Sequence, residues 1–334
     1  MASFLQGLRK SIKNKEARVA FPESTELRIL QAINQLLLDG TIAEVFLFAP
    51  RAEVLNLVKK HNLSEIIKRQ KALIFVGEDR ELSSIELLDF LKEQMKHKPV
   101  TDQALAELAA SPLYKAGYLL NRGDVDCVLA GAGTETAHVI RAAIRTVGKA
   151  EGVQTLSGSF VMQRKDEVYL FADCGVTIEP TLEDLVEIAM ESKKTWECIP
   201  TLAEKEVRIA FLSFSTKGSA KHKSCVKMEQ AAQLMKTRDP NVLVDGELQF
   251  DAAFDLEIGR RKAPGSDVAG RANIFIFPDL NAANIAYKIA QRLGGFAAYG
   301  PLLQGLKKPY SDLSRGATVE DIVACTYINL LRTS

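Results

Sequence analysis

Two hydrophobic periods alternate along the first part of the chain and predict strands separated by helices. Arg18–Phe21 and Ala43–Phe48 are short apolar runs of the kind that buried strands have. Between them a pattern with helical spacing begins after an N-cap at Ser24 or Thr25 and ends at Gly40. Strand, helix and strand in this order predict a parallel sheet covered on both faces. The apolar run recurs at Lys71–Val76 and Val125–Ala130.

The middle of the chain has a different pattern. Ser157–Ala172 alternates apolar and polar residues around a polar centre and predicts a hairpin. Thr181-Leu-Glu-Asp184 is a capping box that opens a helix reaching Met190. A new α/β run then follows. Its predicted elements are strands at Arg208–Leu212, Val242–Asp245 and Asn273–Phe277, and a helix from Asn281 to Leu293.

The length and this change of pattern predict two domains. A chain of 334 residues at roughly 150 residues per domain is long enough for about two. We place one boundary near Gly152, where hairpin-like alternation starts, and a return crossing at Gly294-Gly295. The fold class is therefore α/β with two domains that each contain a parallel sheet. Residues 1–151 and 295–334 form the first, and residues 152–294 form the second.

Charge and cysteine usage restrict the class of partner. The 43 basic and 42 acidic residues leave a formal charge of +1, so no global positive field attracts nucleic acid or an anionic membrane. A small-molecule partner is favoured. The odd number of cysteines, 5, and the absence of a C-x-x-C or a zinc-ligand spacing indicate a reduced protein without a predicted metal site. The N-terminus turns charged before a signal-peptide core could form, so we expect a cytoplasmic protein.

The segment before the last helix holds the most informative polar residues. Ser314 and Arg315 lie in a turn, and Thr318 followed by Asp321 fits an N-cap with an acidic third residue. One interpretation is purely structural, with Asp321 capping the helix for about 1 kcal/mol. The other is a site where an arginine, a serine hydroxyl and a helix N-terminus bind an anion beside a carboxylate. The spacing alone leaves both open.

A glycine-rich turn offers a second candidate. Gly131-Ala-Gly133 follows a predicted strand and precedes a helical segment that contains Arg141. Such a turn can hold a phosphate on free backbone N–H groups. The third glycine of the dinucleotide fingerprint and the P-loop signature are both missing, so an ordinary strand-to-helix turn is the simpler interpretation.

A third candidate follows the strand Arg208–Leu212. In open α/β sheets ligands bind at the carboxyl ends of strands, and the hydroxyls and Lys217 of Ser213–Ala220 suit a phosphate. A solvated polar loop is the alternative. Asp245-Gly-Glu247 could offer metal ligands, but two acids without a third more often serve as turn and cap.

Several segments together resemble the phosphate acetyltransferase family, in its short form and over essentially the whole chain. The segments that carry this resemblance are Ser215-Thr-Lys-Gly-Ser-Ala220, Val244-Asp-Gly-Glu-Leu-Gln249 with Asp251-Ala-Ala253, Lys262-Ala-Pro-Gly-Ser266 with Val268-Ala-Gly270, Ala272–Asn281, Ala286–Leu293, Gln304-Gly-Leu306 and Asp312-Leu-Ser-Arg-Gly316. Any one of them is modest support, but their combined order and spacing are specific.

The resemblance implies transfer of an acetyl group between coenzyme A and inorganic phosphate, in a site in a cleft between two isocitrate/isopropylmalate-dehydrogenase-like domains. It implies a homodimer, with the second domain as the expected dimerisation domain. Coenzyme A is then a substrate and no cofactor is expected. By the same resemblance, Asp321 is the base for the coenzyme A thiol, Ser314 bonds the reacting centre, and Arg315 holds the phosphate. Further substrate-binding residues are expected to be Arg141, Thr136, Ser215 and Lys217.

The chain departs from the family pattern at a few positions. Met95 stands where an arginine usually meets a phosphate of coenzyme A, so Lys96 or Lys98 would have to replace it. Three other departures leave the acyl-chain preference open: Tyr310-Ser311, Ala282-Ala283 and Thr134-Glu-Thr136.

Three alternative functions remain at this stage. A phosphate butyryltransferase would use the same chemistry. A nicotinamide- and metal-dependent decarboxylating dehydrogenase would share the fold, but the cluster of aspartates that it needs is not evident. A non-catalytic binding module is disfavoured by Ser314, Arg315 and Asp321 occurring together.

Overall fold

A computed structural model describes residues 2–13, 15–97 and 99–333. The chain divides into two compact units. The terminal unit is Leu5–Glu151 with the C-terminal residues from Leu306 on, and the central unit is Gly152–Gly305 with the N-terminal residues up to Phe4.

The terminal unit is built on a parallel sheet. Its strands are β1 (Ala17–Phe21), β2 (Ile42–Leu47), β3 (Leu73–Phe75), β4 (Cys127–Ala130) and β11 (Tyr310–Asp312). They lie in the order β11-β4-β1-β2-β3, and every pair is parallel. The helices are α1 (Ala2–Ile12, in this unit from Leu5 on), α2 (Leu27–Asp39), α3 (Arg51–Lys60), α4 (Ser64–Lys68), α5 (Ser84–Gln94), α6 (Asp102–Ala110), α7 (Pro112–Arg122), α8 (Thr136–Thr146) and α15 (Val319–Leu331).

For the helix between β1 and β2, the local sequence predicts the C-terminal end correctly and the N-cap incorrectly. Gly40 ends α2 in the left-handed region, as predicted, with φ +64°. The N-cap is Glu26 instead of Ser24 or Thr25. Ser24 is buried and donates to the Phe21 carbonyl while accepting the Phe48 N–H, because this turn must satisfy two strand ends at once.

The central unit contains a mixed sheet. Its strands are β5 (Ser157–Arg164), β6 (Glu167–Ala172), β7 (Arg208–Leu212), β8 (Leu243–Leu248), β9 (Ile274–Ile276) and β10 (Ala297–Gln304). They lie in the order β10-β5-β6-β9-β7-β8. The helices are α9 (Leu182–Glu197), α10 (Pro200–Ala203), α11 (Lys223–Arg238), α12 (Phe250–Phe254), α13 (Leu256–Lys262) and α14 (Leu280–Arg292).

Strand pairing in the central unit explains its alternating pattern. The predicted hairpin is confirmed: β5 and β6 pair antiparallel, and β10 pairs antiparallel with β5. The β6, β9, β7 and β8 strands pair in parallel. The capping box at Thr181 and Asp184 is also present, and α9 continues to Glu197, beyond the expected end at Met190.

The predicted α/β class with parallel sheets is confirmed. The chain passes from one compact unit to the other at 4/5, at 151/152 and at 305/306, whereas the sequence pattern placed the return at 294/295, ahead of β10. The division into domains and the cleft stay predictions. No helix among the described residues is long and apolar enough to cross a membrane.

Candidate active site

The segment between β11 and α15 carries three predicted site residues. Thr318 and Asp321 form a reciprocal capping box: the Thr318 N–H donates to Asp321 Oδ2 at 2.8 Å, and the Asp321 N–H donates to Thr318 Oγ1 at 3.2 Å. Asp321 is only 9 % exposed. The structural interpretation of Asp321 is therefore correct as far as it goes, and one carboxylate oxygen has no capping role in this box.

Ser314 and Arg315 lie in the turn that leads to this cap. The Ser314 hydroxyl accepts the Gly316 N–H at 3.3 Å, and its carbonyl accepts the Ala317 N–H at 2.8 Å, which closes a tight turn. Arg315 projects from this turn with an exposed side chain. Within the described part of the chain it forms no ion pair, so its fork of N–H donors is available to an anion.

The glycine-rich turn after β4 does not offer the free donors that a phosphate needs. The Glu23 carboxylate, at the carboxyl end of β1, accepts the Ala132 N–H at 2.7 Å and the Gly133 N–H at 2.8 Å. It also accepts the Thr134 hydroxyl at 2.8 Å. The Glu23 side chain thus occupies the N–H groups of this turn. The simpler interpretation of the segment as an ordinary strand-to-helix turn is correct.

Helix α8 starts directly after this turn and carries Arg141. Its N-cap residue, Glu135, makes no side-chain cap. Arg141 lies five residues into the helix from Thr136, or about 7.5 Å along the axis, with an exposed side chain. Among the described residues it pairs with no carboxylate, so a second guanidinium is available on the helix that follows β4.

The Thr136 side chain forms a hydrogen bond within the protein. Its hydroxyl donates to Asp312 Oδ2 at 2.7 Å, which joins the first residue of α8 to the last residue of β11. Burial is the main reason that the pKa of the Asp312 carboxyl is raised to about 7. The Thr136 hydroxyl opposes this shift, the charge of Glu23 adds to it, and the charge of Arg315 opposes it.

Arg28, on the first turn of α2, connects the loops that follow β4 and β11. Its guanidinium donates to the Arg315 carbonyl at 2.8 Å and the Ala317 carbonyl at 2.9 Å through Nη1. Through Nη2 it donates to the Ala132 carbonyl at 2.8 Å, and Glu26 accepts from its Nε at 2.9 Å. The backbone that presents Arg315 is therefore held by a side chain 287 positions away in sequence.

We expect Arg28→Lys to lower kcat on the order of tenfold to a hundredfold, because a lysine cannot bond three carbonyls in one plane and the Arg315 turn would shift. Arg18→Lys is the matched control, since Arg18 pairs with Asp126 ahead of β4, away from these loops. Steady-state kinetics on both variants, with thermal melts to confirm folding, measure this. Equal kcat values for the two variants would remove Arg28 from the support of the site.

Ser215 and Lys217 belong to the central unit, where both have protein partners. Ser215 is fully buried and donates to Glu247 Oε1 at 2.8 Å. The Lys217 ammonium pairs with Asp245 and donates to the Gly246 carbonyl at 3.2 Å. Both side chains shape the loop after β7, and the predicted phosphate contact by either one stays a prediction.

The acids of this loop are also occupied. Burial alone would raise the pKa of Asp245, but Lys217 and the Ser266 hydroxyl, which donates at 2.5 Å, hold that pKa below its ordinary value. Glu247 accepts from Ser215 and from the Gly218 N–H. Within the described residues no group of three or more histidines, cysteines or acids is placed to hold a metal.

Two of the departures from the family pattern, at Met95 and at Tyr310-Ser311, lie at buried positions. Met95 is buried at the end of α5 and Lys96 pairs with Glu93 at 2.6 Å, while Lys98 lies outside the described residues. Tyr310 and Ser311 are buried in β11. Tyr310 donates to the Leu113 carbonyl and Ser311 to Asn329. Both side chains thus bond partners within the terminal unit, and the acyl-chain preference stays open.

Sequence reasoning missed Glu23, Arg28 and Asp312 as parts of this arrangement. Glu23 follows β1 and Asp312 ends β11 on the carboxyl side, which is the edge where open α/β sheets place their sites. Arg28 lies on the first turn of α2, the helix that follows β1. Asp312 also begins the motif Asp312-Leu-Ser-Arg-Gly316. Strand order was the missing information, because β1, β4 and β11 become neighbours only in the folded sheet.

The sequence of this chain is similar to those of known phosphate acetyltransferases. The family model described as phosphate acetyl/butaryl transferase matches residues 3–330. A phosphate acetyltransferase from Bacillus subtilis is 38% identical over 96% of this chain and 96% of that protein. One from Acetivibrio thermocellus is 37% identical over 99% of this chain and 98% of that protein.

Solved structures of phosphotransacetylases are also similar to this chain. A phosphotransacetylase from Streptococcus pyogenes aligns with a TM-score of 0.89 and 37% identity, covering 100% of this chain and 98% of that one. The EutD phosphotransacetylase from Staphylococcus aureus aligns with a TM-score of 0.86 and 34% identity, covering 100% of this chain and 99% of that one.

Proposed function

This chain belongs to the phosphate acetyl/butaryl transferase family, and we propose that it transfers an acetyl group between coenzyme A and inorganic phosphate. The resemblance predicted from the sequence motifs and the predicted transferase class are confirmed. The observation that carries the proposal is the grouping of loops in the terminal unit: Arg28 bonds both the turn of Arg315 and the turn that precedes α8, the helix of Arg141.

The proposed roles follow from this grouping. In the direction that consumes acetyl phosphate, Asp321 accepts the thiol proton of coenzyme A while the sulfur attacks the acetyl carbonyl carbon. The bond from that carbon to the phosphate oxygen then breaks, and phosphate leaves. Arg315 and Arg141 hold the phosphate by charge-assisted hydrogen bonds, and the Ser314 hydroxyl bonds the oxygen that becomes negative. Coenzyme A enters and leaves as a substrate, so the reaction needs no cofactor.

The capping contact of Asp321 suits a base that must stay fixed. The Thr318 N–H occupies Oδ2, and the other oxygen is the one we assign to the thiol proton. A free thiol has a pKa near 8.5 and an aspartate about 3.9, so complete transfer would be uphill by roughly 6 kcal/mol. We therefore propose that the proton moves as the carbon–sulfur bond forms, so that no free thiolate accumulates.

The test of this proposal is release of free thiol from acetyl-coenzyme A by the purified protein, with and without phosphate. Release that requires phosphate and yields acetyl phosphate supports it. Release that is independent of phosphate, or no release at all, contradicts it. The same assay with butyryl-coenzyme A separates acetyl transfer from butyryl transfer, because the two activities differ only in the acyl chain that is accepted.

An exposed apolar surface in the central unit supports the proposed homodimer. Phe250 and Phe254 stack at 5.4 Å on α12, and both border a cavity of about 260 Å³ that Ala290 of α14 also lines. Ile289 of α14 and its C-cap residue Leu293 add to this surface, and Leu293 is 85 % exposed. Contiguous apolar surface of this kind is typical of protein interfaces. We propose that a second copy of the chain covers it.

We expect the double variant Ile289→Glu/Leu293→Glu to be monomeric where the wild type is dimeric, because two buried carboxylates would cost several kcal/mol at the interface. Sedimentation velocity measures this. Ile85→Glu is the matched control, since Ile85 is 72 % exposed on α5 of the terminal unit. A monomeric wild type, or a double variant that is still dimeric, would contradict the proposed interface.

A further inference from the structure

Asp312 is a buried carboxyl group to which the reaction as proposed gives no task. It ends β11, two residues before Ser314, and is 1 % exposed. Oδ2 accepts the Thr136 hydroxyl at 2.7 Å. Oδ1 is buried and, in the part of the chain that the structure describes, has no hydrogen-bond partner.

The surroundings of Oδ1 leave little room for a compensating group. A Cβ added to Gly131 would lie 2.1 Å from this oxygen, so the glycine backbone packs directly against it. Gly131 also has a φ of +103°, where other residues are strained. A carboxylate with one donor and no cation bonded to it would be costly at such a site.

The two neighbouring charges act on this carboxyl group in opposite directions. The Glu23 carboxylate raises the pKa of Asp312, and the Arg315 guanidinium lowers it without forming an ion pair with it. Tyr310, on the same strand, is fully buried and stays neutral because burial raises its own pKa. The two carboxyl groups differ in their partners, because the Glu23 carboxylate accepts from three donors and the Asp312 carboxyl accepts from one.

We propose that Asp312 is a positioning residue that carries a proton at mildly acidic pH and, through Thr136, holds the start of α8 against the end of β11. This link would set Arg141, on α8, relative to Ser314 and Arg315, which directly follow Asp312. The inference rests on the proposed function for its effect on catalysis. The protonation of Asp312 does not depend on that function.

The pKa of about 7 agrees with this protonation and fixes a pH window. Because the folded chain binds this proton more tightly than the unfolded chain, whose carboxyl titrates near 3.9, stability from this group falls as the pH rises from about 4 to about 7. Asp312→Asn removes the titration, keeps an oxygen for the Thr136 hydroxyl and nearly keeps the shape of the side chain.

The experiment measures thermal stability and kcat/KM of the wild type and Asp312→Asn from pH 5 to pH 8.5. Dividing one profile by the other removes the titration of the substrates. We expect Asp312→Asn to keep at least about a third of wild-type kcat/KM at low pH and to gain activity relative to the wild type as the pH rises through about 7. Its melting temperature relative to the wild type should rise between pH 5 and about pH 7 and stay level above that. Thr136→Val, which removes the donated hydrogen bond, is expected to raise KM for phosphate at least about tenfold. Thr136→Ser is expected to restore it.

The controls and the contrary outcomes are as follows. Asp126→Asn removes a carboxylate that pairs with Arg18. The melting temperature and activity of this variant relative to the wild type should fall or stay level across this pH range. A melting-temperature difference between Asp312→Asn and the wild type that does not change with pH overturns the proposal that Asp312 carries a proton. A pH-dependent melting temperature with unchanged kinetics in all three site variants overturns the positioning role and leaves the proposed function intact. Absence of phosphate-dependent thiol release in the wild type overturns the proposed function instead.

Discussion

Replacing Arg315 by alanine is expected to lower kcat by at least about a hundredfold, which is the size of loss that follows removal of one donor to a developing negative charge. Arg315 is exposed, and among the described residues its side chain forms no ion pair. Its carbonyl accepts a hydrogen bond from the Arg28 guanidinium. Alanine therefore keeps the backbone contact and removes the guanidinium alone. Steady-state rates of acetyl phosphate formation, with circular dichroism to confirm folding, measure the effect.

Two further variants make the Arg315 result specific. Arg315→Lys keeps the charge and loses the planar fork, so we expect an intermediate rate. Lys307→Ala removes an exposed cation from the same unit and should leave kcat within about twofold. A normal kcat in Arg315→Ala would exclude the guanidinium from the mechanism, and an equal loss in Lys307→Ala would show that net charge alone matters.

The second large effect is expected at Asp321. Asp321→Asn should lower kcat about a hundredfold to ten-thousandfold, because the amide cannot accept the thiol proton. Its oxygen can still accept the Thr318 N–H, so stability should change by less than about 1 kcal/mol. Rates from the acetyl phosphate and coenzyme A direction, where the thiol must lose its proton, show the loss most clearly, and chemical denaturation measures the stability.

Thr318→Ala is the matched control, because it removes the other half of the capping box. We expect it to cost about 1 kcal/mol of stability and to leave kcat within about threefold. The two variants thus separate the structural from the catalytic interpretation of Asp321. If Asp321→Asn retained most of its kcat, or if Thr318→Ala lost activity to the same degree, Asp321 would be a cap and nothing more.

Local sequence patterns predicted the elements well where the cause is local. The end of α2 at Gly40, the hairpin of β5 and β6, and the capping boxes at Thr181 and Thr318 all depend on residues within a few positions of each other. The predicted N-cap of α2 was wrong because a contact with a distant residue decides the role of Ser24. Ser24 is a strong capping residue, but its hydroxyl bonds Phe48, 24 positions away.

The links within the candidate site could not be predicted because they join distant segments. Glu23 bonds a turn 109 to 111 positions further on, and Asp312 bonds Thr136 across 176 positions. Nothing in the local spacing of Gly131-Ala-Gly133 reveals that a carboxylate already occupies its N–H groups. The roles expected for Ser314, Arg315 and Asp321 rest on the family resemblance, since spacing alone left a helix cap open as the alternative.

The fate of the phosphate oxygens tests the central claim most directly. With acetyl-coenzyme A and phosphate that carries heavy oxygen in all four positions, we predict acetyl phosphate whose phosphorus retains all four labels, because a phosphate oxygen attacks the carbonyl carbon and the carbon–sulfur bond breaks. Phosphorus NMR resolves the labelled species. Thiol release that yields acetate without acetyl phosphate, or acetyl phosphate that has lost label, would contradict direct transfer between coenzyme A and phosphate.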